Sequence, residues 1–180
     1  MRIIAGQWRG RPLDAPAGNM TRPTSDRARE GLFSMLASRL GSFDDLAVAD
    51  LFAGTGALGL EALSRGAASC TFVEKDRAAL DILKRNIERL GASDRADLRA
   101  QSVEHAPPPP HPYDLILMDP PYGAGLAQPA LDRAADWLAP GGWLSLELHG
   151  ESPIIPSGLA LDSERRFGKA TLLLIRRLAA

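Results

Sequence analysis

The sequence is short of the groups that most often announce a chemistry. It has one cysteine, Cys70, which rules out an internal disulfide, and its three histidines, His105, His111 and His149, stand at no metal-ligand spacing with it. Cys70 lies among Ala68, Thr71, Phe72 and Val73, the setting of a small buried hydrophobe, and no metal is expected. No stretch approaches the roughly 20 apolar residues of a membrane span. The start, Met1-Arg2-Ile3-Ile4-Ala5-Gly6-Gln7-Trp8-Arg9, lacks the apolar segment of a secretion signal, so a cytoplasmic protein without membrane contact is expected. No repeat of solenoid period is visible, and with a formal net charge of −1 the chain carries no global field that would gather nucleic acid.

What is present is unevenly placed. A chain of 180 residues suits one hydrophobic core, and a composition of 45% hydrophobic and 24% charged residues is that of a folded protein, with 17 glycines and 14 prolines marking turns. The basic charge gathers at the front: within residues 1–40, Arg2, Arg9, Arg11, Arg22, Arg27, Arg29 and Arg39 outnumber Asp14, Asp26 and Glu30. Such a patch can face phosphate or simply solvent.

The pattern along the chain predicts a small hairpin arm, residues 2–5 and 11–13 joined by a turn over 6–10, then a loop and a helix capped near Thr24 or Ser25 that runs to Leu40. From Leu46 strands and helices alternate: strands over 46–52, 69–74, 97–101, 113–118 and 143–148, with helices through Leu60, from Asp76 to Leu90 and over 129–138. The proline run 107–110 is a stiff connection. Strands 159–167 and 170–177 are separated only by Gly168-Lys169, which can join antiparallel neighbours alone. The expected fold is α/β: a doubly wound, mostly parallel Rossmann-like sheet with an antiparallel edge. Residues 1–24 are expected to form the arm and its loop, and 25–180 the main domain.

Two motifs carry chemistry. The first is Asp119-Pro120-Pro121-Tyr122, directly after the apolar run Leu115-Ile116-Leu117-Met118. Two prolines in succession leave backbone that can only accept hydrogen bonds, beside a carboxylate and an aromatic ring, which suits a planar group whose –NH2 needs two acceptors. If the Asp119 side chain and the Pro120 carbonyl both accept from such an amine, its lone pair is drawn out of ring delocalisation and can attack a methyl carbon; Tyr122 offers a stacking surface to an extruded base. The lesser alternative is a ring that packs in a core.

The second is Gly54-Thr55-Gly56-Ala57-Leu58-Gly59 between a strand and a helix, with Glu74 closing the next strand 20 residues after Gly54. Spacing alone allows a dinucleotide. Asp50, at the mouth of the loop, would repel a pyrophosphate and attract a sulfonium and an ammonium, which favours S-adenosyl-L-methionine, with Glu74 accepting from both ribose hydroxyls. Asp50, Glu74 and Asp119 should then ring one cleft at the carboxyl ends of the strands.

With these motifs, the segment Arg22-Pro23-Thr24-Ser25-Asp26-Arg27-Ala28-Arg29-Glu30, the start Arg2 to Arg11 and the end Gly168-Lys169-Ala170-Thr171, nearly the whole chain resembles the bacterial 16S ribosomal RNA guanine-N2 methyltransferase family. The glycine and Asp-Pro-Pro-Tyr motifs are shared by many amino methyltransferases; the N-terminal segment singles out this family. The resemblance implies methyl transfer from S-adenosyl-L-methionine to the exocyclic N2 of a guanine in 16S rRNA, within an assembling small ribosomal subunit; a monomer is expected, though nothing in the sequence fixes the oligomeric state. It assigns the reacting amine to Asp119, Pro120, Pro121 and Tyr122. The cofactor falls to Asp50, Phe52, Gly54, Thr55, Gly56, Gly59, Glu74 and Lys75, with Arg22 and Thr24 at the border of its pocket. RNA backbone falls to Arg2, Arg9 and Arg11. Where such enzymes often carry Asp or Asn near the adenine amine, this chain has Gln101-Ser102-Val103, which leaves Ser102 as the acceptor. An adenine-N6 DNA methyltransferase uses the same tetrapeptide and remains an alternative, as does a nicotinamide-dependent oxidoreductase.

Overall fold

A computed structural model describes residues 1–17 and 23–179. Its centre is a seven-stranded sheet in the order β3-β2-β1-β4-β5-β7-β6. Strands β1 (Ala47–Leu51), β2 (Ser69–Glu74), β3 (Ala96–Ala100), β4 (Tyr113–Met118) and β5 (Leu138–Leu148) pair in parallel, and β7 (Ala170–Arg177) runs antiparallel to both β5 and β6 (Leu159–Phe167). The expected antiparallel edge is thus the β6–β7 hairpin, turned at Gly168 with φ +60°.

Alternation along the strands supplies two cores. Val48, Phe72, Leu115, Leu117 and Trp143 face one side, against α1 (Pro23–Leu40), α2 (Ala57–Ser64) and α3 (Arg77–Leu90), while Ala49, Leu51, Val73, Ile116, Met118 and Leu144 face the other, against α4 (Ala127–Trp137). Asp76 caps α3 through a bond from the Ala79 N–H, and Gly91, at φ +68°, ends it. Helix α1 starts at Pro23 rather than after Thr24 or Ser25; a proline's missing N–H costs nothing in a first turn. Strand β5 begins at Leu138, before the Pro140-Gly141-Gly142 turn: the register passes from Tyr113↔Leu138 to Leu115↔Trp143, so the turn is bulged out of a strand that has already started. Among the described residues no helix is long and apolar enough to cross a membrane.

The N-terminal arm is a hairpin with one ladder bridge, Arg2 to Pro12, and it lies on the C-terminal half of α2. Ile3, Trp8 and Leu13 join the first core. The arm's polar backbone is satisfied by two buried side chains of α2. The Glu61 carboxylate accepts from the N–H groups of Ile4 (2.8 Å) and Ala5 (3.0 Å) and from Arg65 (3.0 Å), while the Ser64 hydroxyl accepts from Trp8 (3.1 Å) and donates to Ala5 (2.6 Å). Gly6 passes so close that a Cβ there would fall 1.9 Å from the Ser64 carbonyl oxygen.

Replacing Glu61 with Ala strands these donors and the Arg65 charge, and a loss on the order of 3 kcal/mol is expected in urea unfolding. The Ile4 and Ala5 amides should lose hydrogen-exchange protection ahead of the rest of the domain. A variant with wild-type stability and unchanged protection at both amides would show that Glu61 does not anchor the arm.

Candidate active site

A cleft of about 270 Å³ opens at the carboxyl ends of β1, β2 and β4. Phe52, Val73, Glu74, Lys75, Ser102, Asp119 and Pro121 all line it, so the tetrapeptide and the acidic end of β2 share one pocket. A larger cavity of about 450 Å³, bounded by Pro108, Arg133, Trp137 and Arg177, holds none of the site residues expected from the sequence.

The glycine loop is shaped by its dihedrals. Phe52 has φ +65°, strained for a bulky side chain and the reason the strand stops at Leu51. Gly54 (φ +57°) and Gly56 (φ +88°) continue the turn, and the space where a Gly54 Cβ would stand is open. Gly59 matters for close approach instead. A Cβ there would meet the Phe72 ring at 2.4 Å and Cys70 Sγ at 2.7 Å, so this glycine lets α2 lie against the sheet. The Thr55 carbonyl accepts from the Asn86 amide at 3.0 Å.

Two carboxylates sit otherwise than the sequence suggests. Asp50 is 1% exposed and lies under the loop rather than at its mouth, because strand alternation turns it toward α2, where it accepts the Gly59 N–H at 2.8 Å. Burial raises its pKa well above the ordinary carboxylate value; the Gly59 hydrogen bond opposes the rise, and Asp119 and Glu74 add to it. Glu74 is at the rim, but Oε1 already accepts from the N–H groups of Lys75 and Asp76 (2.8 Å each) and Oε2 from Gly54 (2.7 Å). Of the roughly four lone-pair sites on a carboxylate, about one is left, so accepting from both ribose hydroxyls requires it to release a backbone bond.

Asp119 stands just past β4. It is open to the cleft, yet protein closes around its carboxyl enough that desolvation raises its pKa to about 7, with Glu147 pushing it up further and His149 holding it down. The carboxylate oxygens of Asp119 and Glu147 and a ring nitrogen of His149 lie within 4.8 Å of one another, and burial raises Glu147 as well. Pro120 is buried, and no hydrogen bond among the described residues reaches its carbonyl. Tyr122 is 78% exposed and so is not a core ring; it meets His149 edge-on at 5.9 Å between centroids. Ser102 Oγ is 2.6 Å from His105 Nδ1 at the rim.

Of the arm arginines, Arg2 bonds the Gly10 carbonyl (2.8 Å) and Arg11 the Arg89 carbonyl (2.6 Å), while Arg9 is exposed with no ion pair among the described residues. Arg22 and the Thr24 side chain lie outside the described residues. Sequence reasoning did not single out Glu147, His149, Asn86, Glu61 or Ser64. Glu147 comes level with Asp119 because the parallel register Met118↔Leu146 continues one residue on, a pairing no local pattern reveals.

The fit to a methyl donor with a cationic centre is favourable on this geometry. Asp50, Glu74, Asp119 and Glu147 raise the negative potential at one end of the cleft, and Phe52, Val73 and Val103 offer apolar walls to a flat ring.

Comparison with known proteins agrees. The family described as Conserved hypothetical protein 95 matches residues 1–176. Ribosomal RNA small subunit methyltransferase D of Escherichia coli K12 is 37% identical over 181 residues, 98% of this chain and 90% of that protein. The protein of the same name from Haemophilus influenzae is 36% identical, over 93% of this chain and 89% of its own length. The solved structure of yhhF from Escherichia coli superposes with a TM-score of 0.87 at 35% identity, covering 100% of this chain and 99% of that one. On this similarity, which spans the arm as well as the sheet, the chain belongs to the ribosomal RNA small subunit methyltransferase D family.

Proposed function

We propose that the protein transfers the methyl group of S-adenosyl-L-methionine to the exocyclic N2 of a guanine in 16S rRNA of an assembling small ribosomal subunit. The observation that carries this reading is the shared cleft: Asp119 and Pro121 line the same pocket as Phe52, Glu74 and Ser102, which puts an acceptor for the amine next to a berth for the methyl donor. Phe52, Gly54 and Gly56 shape the loop that borders the methionine end. The remaining acceptor site of Glu74 takes a ribose hydroxyl, Lys75 edges the same rim, and Ser102 reaches the adenine amine. The methyl donor supplies an activated methyl on a positive sulfur, and the residues around it position the two reactants.

Asp119 and the Pro120 carbonyl accept from the guanine –NH2 and aim its lone pair, and Tyr122, free of the core, stacks on the extruded base. Ordering two reactants in line contributes up to roughly 7–11 kcal/mol in favourable cases, and base stacking about 1–3 kcal/mol. Asp50, under the loop, acts through its field rather than by contact. Arg9 and Arg11, on the exposed side of the arm, meet RNA phosphate, with Arg2 holding the hairpin turn closed through Gly10.

The direct test is incubation with labelled methyl donor and immature small subunits, followed by nucleoside mass spectrometry. N2-methylguanosine is the expected product, and label appearing only in adenine of added DNA would reassign the substrate. Asp119→Ala should lower turnover on the order of 10²–10³-fold, as loss of one preorganised hydrogen-bonding group does, with cofactor binding by calorimetry little changed. Equal losses in both would move Asp119 to the cofactor side. Replacing Arg9 and Arg11 together with Ala should reduce the salt slope of RNA binding by about 2, roughly one for each phosphate no longer neutralised. An unchanged slope would take the arm out of the RNA interface.

A further inference from the structure

Three side chains crowd the mouth of the notch, and only Asp119 is needed to orient an amine. Glu147 and His149 are two residues apart at the end of β5 and therefore on one face, level with Asp119 through the β4–β5 register. His149 Nε2 is 3.5 Å from Glu147 Oε1, the backbone N–H of His149 is held by Glu151 Oε2 at 2.7 Å, and its ring abuts Tyr122. Resting on the amine-methylation reading above, the reaction leaves a proton to be placed. As the nitrogen lone pair bonds to the methyl carbon, the carbon–sulfur bond breaks and its electrons stay on sulfur, giving a neutral thioether. The nitrogen is then positive and still holds two hydrogens. One N–H bond must break, returning its electron pair to nitrogen.

We propose that Glu147 and His149 are positioning residues that form a proton relay with Asp119: the carboxylate of Asp119 takes the proton from the methylated amine, and Glu147 and His149 pass it to solvent past Tyr122. Asp119 opens on the cleft, the side that the base and the methyl donor would fill in the reacting complex, and Glu147 and His149 beside it offer the proton a second way out. Glu147 makes the pair a better proton acceptor, since two carboxylates in one site cannot both stay ionised without cost. His149, when charged, opposes this and resets the pair. The other charged groups of the cleft, Glu74 at the end of β2, Lys75, Asp76 and Glu104, and Asp50 buried on β1, lie outside the cluster of three and set its background potential.

The relay is tested by following the Asp119 side-chain carboxyl by NMR through a pH titration of the whole protein, and by measuring the pH dependence of methyl transfer to small subunits. In the wild type the carboxyl should titrate near 7. Glu147→Gln should move that titration, and the acid limb of kcat/KM, down by about one unit or more, and His149→Gln should move both up. Glu147→Asp should restore the wild-type profile, which a purely structural role would not require. Equal profiles in all four proteins, or shifts of the same sign in both Gln variants, would overturn the relay. So would activity that depends on added magnesium and is lost to a chelator, because the cluster would then be a cation site. A wild-type protein that forms no N2-methylguanosine refutes the assigned reaction, whereas the NMR titration separately decides whether the three groups act as one.

Discussion

Negative charge concentrated at one end of a parallel sheet is the constraint to which the rest of this molecule answers. Asp50, Glu74, Asp119 and Glu147 stand at or just beyond the carboxyl ends of β1, β2, β4 and β5, and desolvation makes the ionised forms of Asp50, Asp119 and Glu147 expensive. Backbone donors meet two of the four acids. Gly59 donates to Asp50, and Gly54, Lys75 and Asp76 donate to Glu74, so the turns after β1 and β2 are partly held in shape by the acids they surround. Asp119 has no such donor among the described residues and is left to Glu147 and His149. The charge deficit is therefore largest at the tetrapeptide, where a cationic methyl donor would relieve it and a pyrophosphate would deepen it.

The packing of α2 links this electrostatic end to the arm at the other. Gly59 allows the helix to sit on Phe72 and Cys70, which sets the height of the glycine loop at its N-terminus; Glu61 and Ser64, further along the same helix, seat the arm. One eight-residue helix thus carries both the roof of Asp50 and the cradle of Ile4, Ala5 and Trp8. Displacing it would disturb the glycine loop and the arm together.

Much of this was legible in the residues. Strand alternation, the Asp76 and Gly91 caps of α3, the two-residue turn at Gly168 and the placement of Glu74 and Asp119 at strand ends follow from local chemistry. The depth of Asp50 did not, since knowing that it alternates with Leu51 does not say which face α2 covers. The saturation of Glu74 was hidden for a similar reason: a carboxylate at a strand end is visible in sequence, but the donors of the next turn that fold back onto it are not. Glu147 and His149 were hidden more deeply, because their closeness to Asp119 depends on a β4–β5 register interrupted by the Pro140-Gly141-Gly142 bulge. The part played by Glu61 was hidden too, since it depends on an arm some 56 residues away in sequence.

Asn86 shows how the arm and the cleft come to share a fate. Fully buried on α3, it accepts from the Asp14 N–H at 2.8 Å and donates to the Asp14 carbonyl at 3.1 Å and the Thr55 carbonyl at 3.0 Å. A primary amide has one acceptor and two donors to place in such a site, and here each finds backbone. The strand that leaves the arm is thereby pinned to the same side chain that pins the glycine loop. Arg89 and Arg85 reinforce it through the Asp14 carboxylate, at 2.7 Å and 3.6 Å, on the surface where screening makes such pairs weak. The amide is the stronger tie, because Asn86 itself is fully buried and its loss would leave three backbone groups without their partner. The arm and the glycine loop are therefore tied to each other through one buried side chain on α3.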